Sequence, residues 1–421
     1  MAAKVKNTGA AMPRLNKERG EFLFRNLAAM WQGRHNGGYL GGLIAPQQEH
    51  MPYDARGNSE LTLRFLTFAA LVMRGSVRSD AVLAFVHEFW LCRPEYFDLA
   101  VLAKTRPEDL LEAFRTTAEK TYPQRINGFV GSGPLSYKAD EFARSLVQNG
   151  KIITREFDGD PRRIFAGAKS FAEVMSRTRL NGIGTKIMSL WALWLLEFRL
   201  IEESFTVPGV VDFHFMRLLT ANGVVEFETR PLREVITQQN QKRFSPHLHH
   251  HHAARVGQKI TDYIAYWSAE LLEELGLSSY DVSHGSWFHS REFCKRYPGN
   301  RATSNRGHAR RRDLVITGFA DLEALRRGIG WPDRPNYCSG CPLASTCKLS
   351  IPNVSYYRTG VLIVLGPRVK QPTTESPIIT DLPRDFRKLR EAKRLEGLAR
   401  KQPAVKAPED RQLPLLLSGG P

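Results

Sequence analysis

One stretch limits what this chain can fold into more than any other, residues 180–217. It opens Leu180-Asn181-Gly182-Ile183-Gly184-Thr185-Lys186 and closes Val211-Asp212-Phe213-His214-Phe215-Met216-Arg217. Two glycines spaced by one residue make a turn where backbone can come close to a partner, because glycine lacks a Cβ and accepts positive φ. N–H groups exposed at such a turn and at the next helix N-terminus suit a phosphate oxygen. The following residues, Lys186 to Leu200, read as a strongly apolar helix carrying Trp191, Trp194 and Leu195. A turn that merely packs two helices would look the same in isolation, so the rest of the chain has to decide.

The periodicity on either side is helical. Gly20–Arg34 places Phe22, Phe24, Leu27 and Met30 on one side, and from Ser59 a buried helix runs through Leu61, Leu63, Leu66, Phe68 and Leu71 to about Gly75. Ser79-Asp80 is a plausible N-cap for Ala81–Trp90, and Pro107 opens Leu110–Ala118. Tyr137–Gly150, Ser170–Arg177, Phe213–Leu219 and Gln258–Leu275 complete the helices. No segment alternates convincingly as a strand, and no internal repeat is visible. The expectation is an all-α fold. With 421 residues it divides into one large or two ordinary domains.

The net charge of +17 points to a polyanionic partner, with nucleic acid first. Lys295–Asn336 concentrates the charge, with ten Lys/Arg against four acids. Within it Arg310-Arg311-Arg312, beside Asn305 and His308, reads as a phosphate-contact loop, or else as a solvated charged face. Three of five cysteines cluster as Cys338-x2-Cys341-x5-Cys347, a spacing suited to a metal centre in a reducing compartment rather than a disulfide framework. Four thiolates would hold [4Fe–4S] or zinc equally well on spacing alone. Cys92 reads as a packed thiol. The histidine-rich run His247–His252, in a segment (221–255) that looks inserted, reads as a polar loop or a metal-binding tract. Met1–Lys17 is polar and basic with no signal-peptide pattern, and the longest apolar run, Ile187–Leu200, is broken by Glu197 and Arg199, so no membrane partner is expected.

Taken in order, the glycine turn, Lys186, Asp212 and the cysteine cluster resemble the iron–sulfur helix-hairpin-helix DNA glycosylases, the endonuclease III family. That family's turn reads roughly Leu-Pro-Gly-Val-Gly-x-Lys and its later motif Val-Asp-Thr-His. Here they read Leu-Asn-Gly-Ile-Gly-Thr-Lys and Val-Asp-Phe-His. The resemblance covers about residues 60–350, thinly outside these motifs. It implies two helical domains with a C-terminal iron–sulfur loop, double-stranded DNA as partner, and a monomer. It implies DNA contact at Gly182, Gly184, Arg310, Arg311 and Arg312. It places Lys186 at the catalytic-lysine position and Asp212 at the catalytic carboxylate. A phosphate-binding Lys186 and a helix-capping Asp212 are the plainer readings, and His214 reads as structural. The resemblance favours [4Fe–4S] over zinc, with Cys294, Cys338, Cys341 and Cys347 as ligands. Trp287–Cys294 is similar to the family's segment before its first cysteine, yet forty-three residues separate Cys294 from the pair where the family has six. The family's wedge glutamine falls at Val77, a departure.

The implied activity is excision of a damaged or modified base, pyrimidine favoured, with strand cleavage at the resulting abasic site. The alternatives are a glycosylase that uses water, and a glycosylase-like scaffold reused for base modification, as suspected for transferases of bacteriophage thymine hypermodification. The expected organisation is a basic arm (1–17), an N-terminal segment packing with the cluster domain (18–59), a helical domain ending in the glycine turn and its helix (60–200), a catalytic and cluster domain (201–352), and a basic flexible tail (353–421). The tail ends Gln412-Leu413-Pro414-Leu415-Leu416-Leu417, which resembles the peptides that dock DNA enzymes on the bacterial sliding clamp. These features imply a cytoplasmic, nucleoid-associated protein of a bacterium or its virus.

Overall fold

The computed structural model describes residues 12–36, 40, 43–73, 79–121, 139–235, 252–290, 341–343, 345–347, 353–357 and 360–364. It is mostly helical. Ten helices carry the argument: α1 (Lys17–Gln32), α2 (Ser59–Val72), α3 (Ser79–Cys92), α4 (Pro107–Thr121), α5 (Ala139–Glu156), α6 (Phe171–Arg177), α7 (Thr185–Glu197), α8 (Phe213–Ala221), α9 (Gln258–Leu275) and α10 (Ser279–Phe288). Their ends are set by local chemistry. Asn58 opens α2 by accepting from the backbone N–H of Glu60 and Leu61, each at 3.1 Å. Ser170 opens α6 by accepting from Glu173 N, while the Glu173 carboxylate accepts from Lys169 N, a nearly reciprocal cap. Gly276, in the left-handed region at φ +62°, closes α9.

Two groups of helices share one core. In the first, α2, α3, α4 and α5 pack around an aromatic cluster in which Phe68 lies 4.2 Å from Phe97, Trp90 lies 4.7 Å edge-on to Phe97, and Phe89 lies 4.9 Å from Phe114. In the second, α1 packs against α9 and α10, with Trp31 stacked on Phe288 at 4.9 Å and Phe24 on Phe215 at 5.7 Å. Helix α7 joins the groups. It touches α2 on one side and α9 and α10 on the other, and Ile187, Met188 and Trp191–Leu195 are all buried. A helix apolar all round must be enclosed, and this one is the shared spine.

The expectation that the chain holds no strand is wrong. Arg14–Leu15 (β1) pairs antiparallel with Val225–Glu226 (β2). A second sheet has the order β3-β4-β6-β5, from Arg230–Pro231 (β3), His252–Gly257 (β4), Asn353–Tyr357 (β5) and Gly360–Val364 (β6), antiparallel throughout. These strands have two to six residues, too short for alternation to register, and β4 finds β6 about a hundred residues downstream. Two boundaries shift accordingly. Arg14 and Leu15, read as part of a loose arm, are paired. Residues 353–364, read as the start of a flexible tail, form two strands, and β5 packs against α8. No helix among the described residues is long and apolar enough to cross a membrane. The wedge position Val77, the tract His247–His251, the Arg310–Arg312 run, Cys294, Cys338 and the peptide Gln412–Leu417 lie outside the described residues.

Candidate active site

The turn between α6 and α7 is built from inside. Asn149, fully buried on α5, accepts from Asn181 N at 2.6 Å and donates to Asn181 O at 3.1 Å. One side-chain amide thus takes the place of a strand partner and holds Asn181 by both backbone groups. Gly182 follows at φ +72°, where any other residue is strained. Leu180 is buried and Ile183 half-buried, whereas Asn181, Gly182 and Gly184 are exposed. The turn therefore plugs its apolar residues into the core and offers its glycines outward. Gly184 is the N-cap of α7 with no side-chain cap, and a Cβ placed there would meet nothing within 4 Å. The fold itself does not require glycine at that position.

Lys186 lies in the first turn of α7 and is half-buried. Asp212 is the N-cap of α8 and is buried; its Oδ1 accepts from His214 N at 2.8 Å and from Phe215 N at 2.9 Å. The plainer reading of Asp212 is thus correct as far as it goes. Both bonds end on Oδ1, so Oδ2 takes no part in the cap. Loss of hydration pushes the Asp212 carboxyl above its usual range, opposed by the Lys186 ammonium, then by the two backbone donors and Arg217. The Lys186 ammonium is near enough to act on the Asp212 carboxyl through space, and the exposed glycines stand two and four residues before Lys186.

The segment leading to Asp212 is pinned by three serines that no motif marks. Ser268 Oγ accepts from Gly209 N at 3.1 Å, Ser283 Oγ accepts from Val210 N at 3.3 Å, and Ser279 Oγ donates to Val207 O. They come from α9 and α10. Below Asp212, Arg217 Nη1 donates to Ser290 Oγ at 2.9 Å, and His214 Nδ1 lies 3.1 Å from the same oxygen. Both side chains are buried.

The far end of α7 is anchored as firmly as its start. Glu197 accepts from Gln47 at 2.7 Å, Gln48 at 2.6 Å and Tyr280 at 3.0 Å. Burial raises its carboxyl pKa against these three donors. Gln47 also reaches His284 Nε2 at 2.9 Å, and His284 Nδ1 lies 3.0 Å from Tyr280 O. Burial lowers His284 to about 4, so it stays neutral, donating from Nδ1 and accepting at Nε2.

Of the predicted metal ligands, Cys341 and Cys347 are described. Both are half-buried and lie on one turn, closed by Cys347 N bonding to Leu343 O at 2.9 Å. Leu343 is buried in the core, and Thr346 Oγ1 donates to Asn222 Oδ1 at 2.8 Å, at the end of α8. Two cysteines on a turn docked at the far end of α8 fit a thiolate-bound metal centre. Cys341 Sγ lies 3.7 Å from Nε2 of the buried His289. Among the described residues no three His, Cys, Asp or Glu side chains converge as a complete site.

Compared with protein-family models and with curated proteins, the chain matches none. Its chemistry has to be read from its own residues.

Proposed function

We propose that this protein is a DNA glycosylase with abasic-site lyase activity, acting on a base turned out of the duplex. What carries the reading is half-buried Lys186, in the first turn of α7 after an exposed glycine turn, acting electrostatically on the buried Asp212 carboxylate. The exposed turn and the N-terminus of α7 suit a DNA phosphate, and the positive charge of the chain suits the rest of the backbone. The Lys186 amine forms a bond to C1′ while the glycosidic bond breaks, its electron pair leaving with the base. Asp212 takes the amine proton, a task helped by its raised pKa, and stabilises the positive charge that develops on the sugar. The aminal so formed opens as the C1′–O4′ bond breaks, O4′ taking a proton, and the resulting Schiff base acidifies C2′ so that the 3′ phosphate leaves by β-elimination.

Cys338, Cys341 and Cys347 would hold the metal centre, a [4Fe–4S] cluster or zinc. When bound, that group fixes the loop that follows α10 and presents its cations to DNA. The test is borohydride trapping on duplex DNA with an abasic site. Wild type gives a covalent adduct and Lys186→Ala gives none. Base release that persists in Lys186→Ala instead marks a glycosylase using water. Absence of both adduct and base release leaves the scaffold reused for base modification.

A further inference from the structure

One buried side chain decides the shape of the exposed glycine turn. Ile183 N bonds to Leu180 O at 3.3 Å, Gly182 sits at φ +72°, and Asn181 keeps a negative φ. These are the marks of a type II turn with Asn181 at its second position, where proline is common because its ring fixes φ. Asparagine has no such constraint. It has instead an N–H, which proline lacks. Asn149 Oδ1 accepts from that N–H at 2.6 Å, and Asn149 Nδ2 donates to Asn181 O at 3.1 Å. Asn149 lies fully buried on α5, thirty-two residues earlier in the chain. Both ends of one buried amide thus bond to the backbone of one exposed residue, and the flanking Gly182 and Gly184 are exposed as well.

We infer that Asn149 is a positioning residue for DNA. Its amide takes over the task of a turn proline and holds the glycine turn in its phosphate-binding shape before DNA arrives. This rests on the proposed reading of that turn as a DNA contact. A preformed turn loses little freedom on binding. A turn correctly formed for only about a tenth of the time binds about tenfold more weakly. The effect falls on binding rather than on chemistry. Lys186 stands on α7, whose apolar residues are enclosed in the core, so the helix holds it in place whatever Asn181 does.

The experiment measures affinity for duplex DNA carrying an abasic site. It uses full-length wild type, Asn149→Ala and the double variant Asn149→Ala/Asn181→Pro, each checked for folding by circular dichroism. Asn149→Ala should bind about tenfold more weakly, and adding Asn181→Pro should restore most of the loss. In the trapping reaction the same loss should appear in the half-saturating DNA concentration rather than in the rate at saturation. Unchanged affinity in Asn149→Ala, a loss that Asn181→Pro does not restore, or a loss confined to the saturated rate overturns the inference. If Asn149→Ala does not fold, the wild type decides. Without DNA, its Asn181 N–H must exchange with solvent far more slowly than a free amide, and rapid exchange overturns the lock. A wild type that does not bind duplex DNA overturns this inference together with the reading beneath it. A wild type that binds DNA but gives neither adduct nor base release defeats the glycosylase reading alone, since the affinity and exchange results need no chemistry.

Discussion

Asp212 caps α8, and on the proposed mechanism it is also the proton acceptor; different substitutions separate the two tasks. Asparagine caps a helix about as well as aspartate, so Asp212→Asn keeps the bonds to His214 N and Phe215 N but cannot accept a proton or hold a cation. Its activity is expected to fall by roughly 10² or more with DNA binding intact. Asp212→Ala should show the same loss and in addition cost about 1 kcal/mol of stability, measured by thermal or urea unfolding. The pH dependence follows from the raised pKa of Asp212. The catalytic form is the ionised one, so activity should decline as pH falls through a value above the ordinary carboxylate range, and Asp212→Asn should lack that limb. Stability runs the other way. A carboxyl raised by folding contributes stability below its unfolded pKa, and that contribution is lost as pH rises through the folded value. Asp212→Asn is accordingly no less stable than wild type at neutral pH. The cap at Asp212 could be read from the chain because an aspartate just before an apolar helical run carries its own chemistry. Asn149 and the serines at 268, 279 and 283 could not. A single polar residue on an otherwise apolar helix face shows its purpose only once its backbone partner, tens of residues away, is in place.

Two glycines contrast at the scale of elements. Gly285 on α10 faces α1 so closely that a Cβ would lie 2.1 Å from Leu27 O. Gly285→Ala must push the two helices apart and is expected to cost about 3 kcal/mol, read as a lowered unfolding midpoint. Gly184 meets nothing. Gly184→Asn supplies a competent helix cap and should leave the midpoint unchanged or raised, while weakening binding to abasic duplex by about tenfold if backbone there meets a phosphate. Equal affinity would show that the turn does not approach DNA. The long helices were legible because their burial follows a 3.6-residue period. Helix α10 was not. Its sequence Ser-Tyr-Asp-Val-Ser-His-Gly-Ser-Trp-Phe buries serine, histidine and glycine along with Val282 and Phe288, so no apolar stripe marks it.

Across the whole molecule, the strands sew the chain together at both ends of the described region. Sequence alone suggests cutting at residue 352, where the composition turns polar. The sheet predicts otherwise. A protein ending at residue 352 leaves β4 with one edge unpaired, an invitation to association. It should elute as aggregate by size-exclusion chromatography, while a protein ending at Gly366 should remain dispersed. Similar behaviour of the two would show that the 353–364 hairpin is dispensable. Such pairing stays invisible in sequence because it depends on a partner beyond any local window.

The same hairpin sets a timetable for synthesis. Strand β4 leaves the ribosome about a hundred residues before β6, its neighbour in the sheet. At about 5–20 residues per second, the nascent chain carries an unsatisfied strand edge for roughly 5–20 s. The helices around α7 are complete by then. During that interval the half-made protein offers an edge on which another copy of itself could pair.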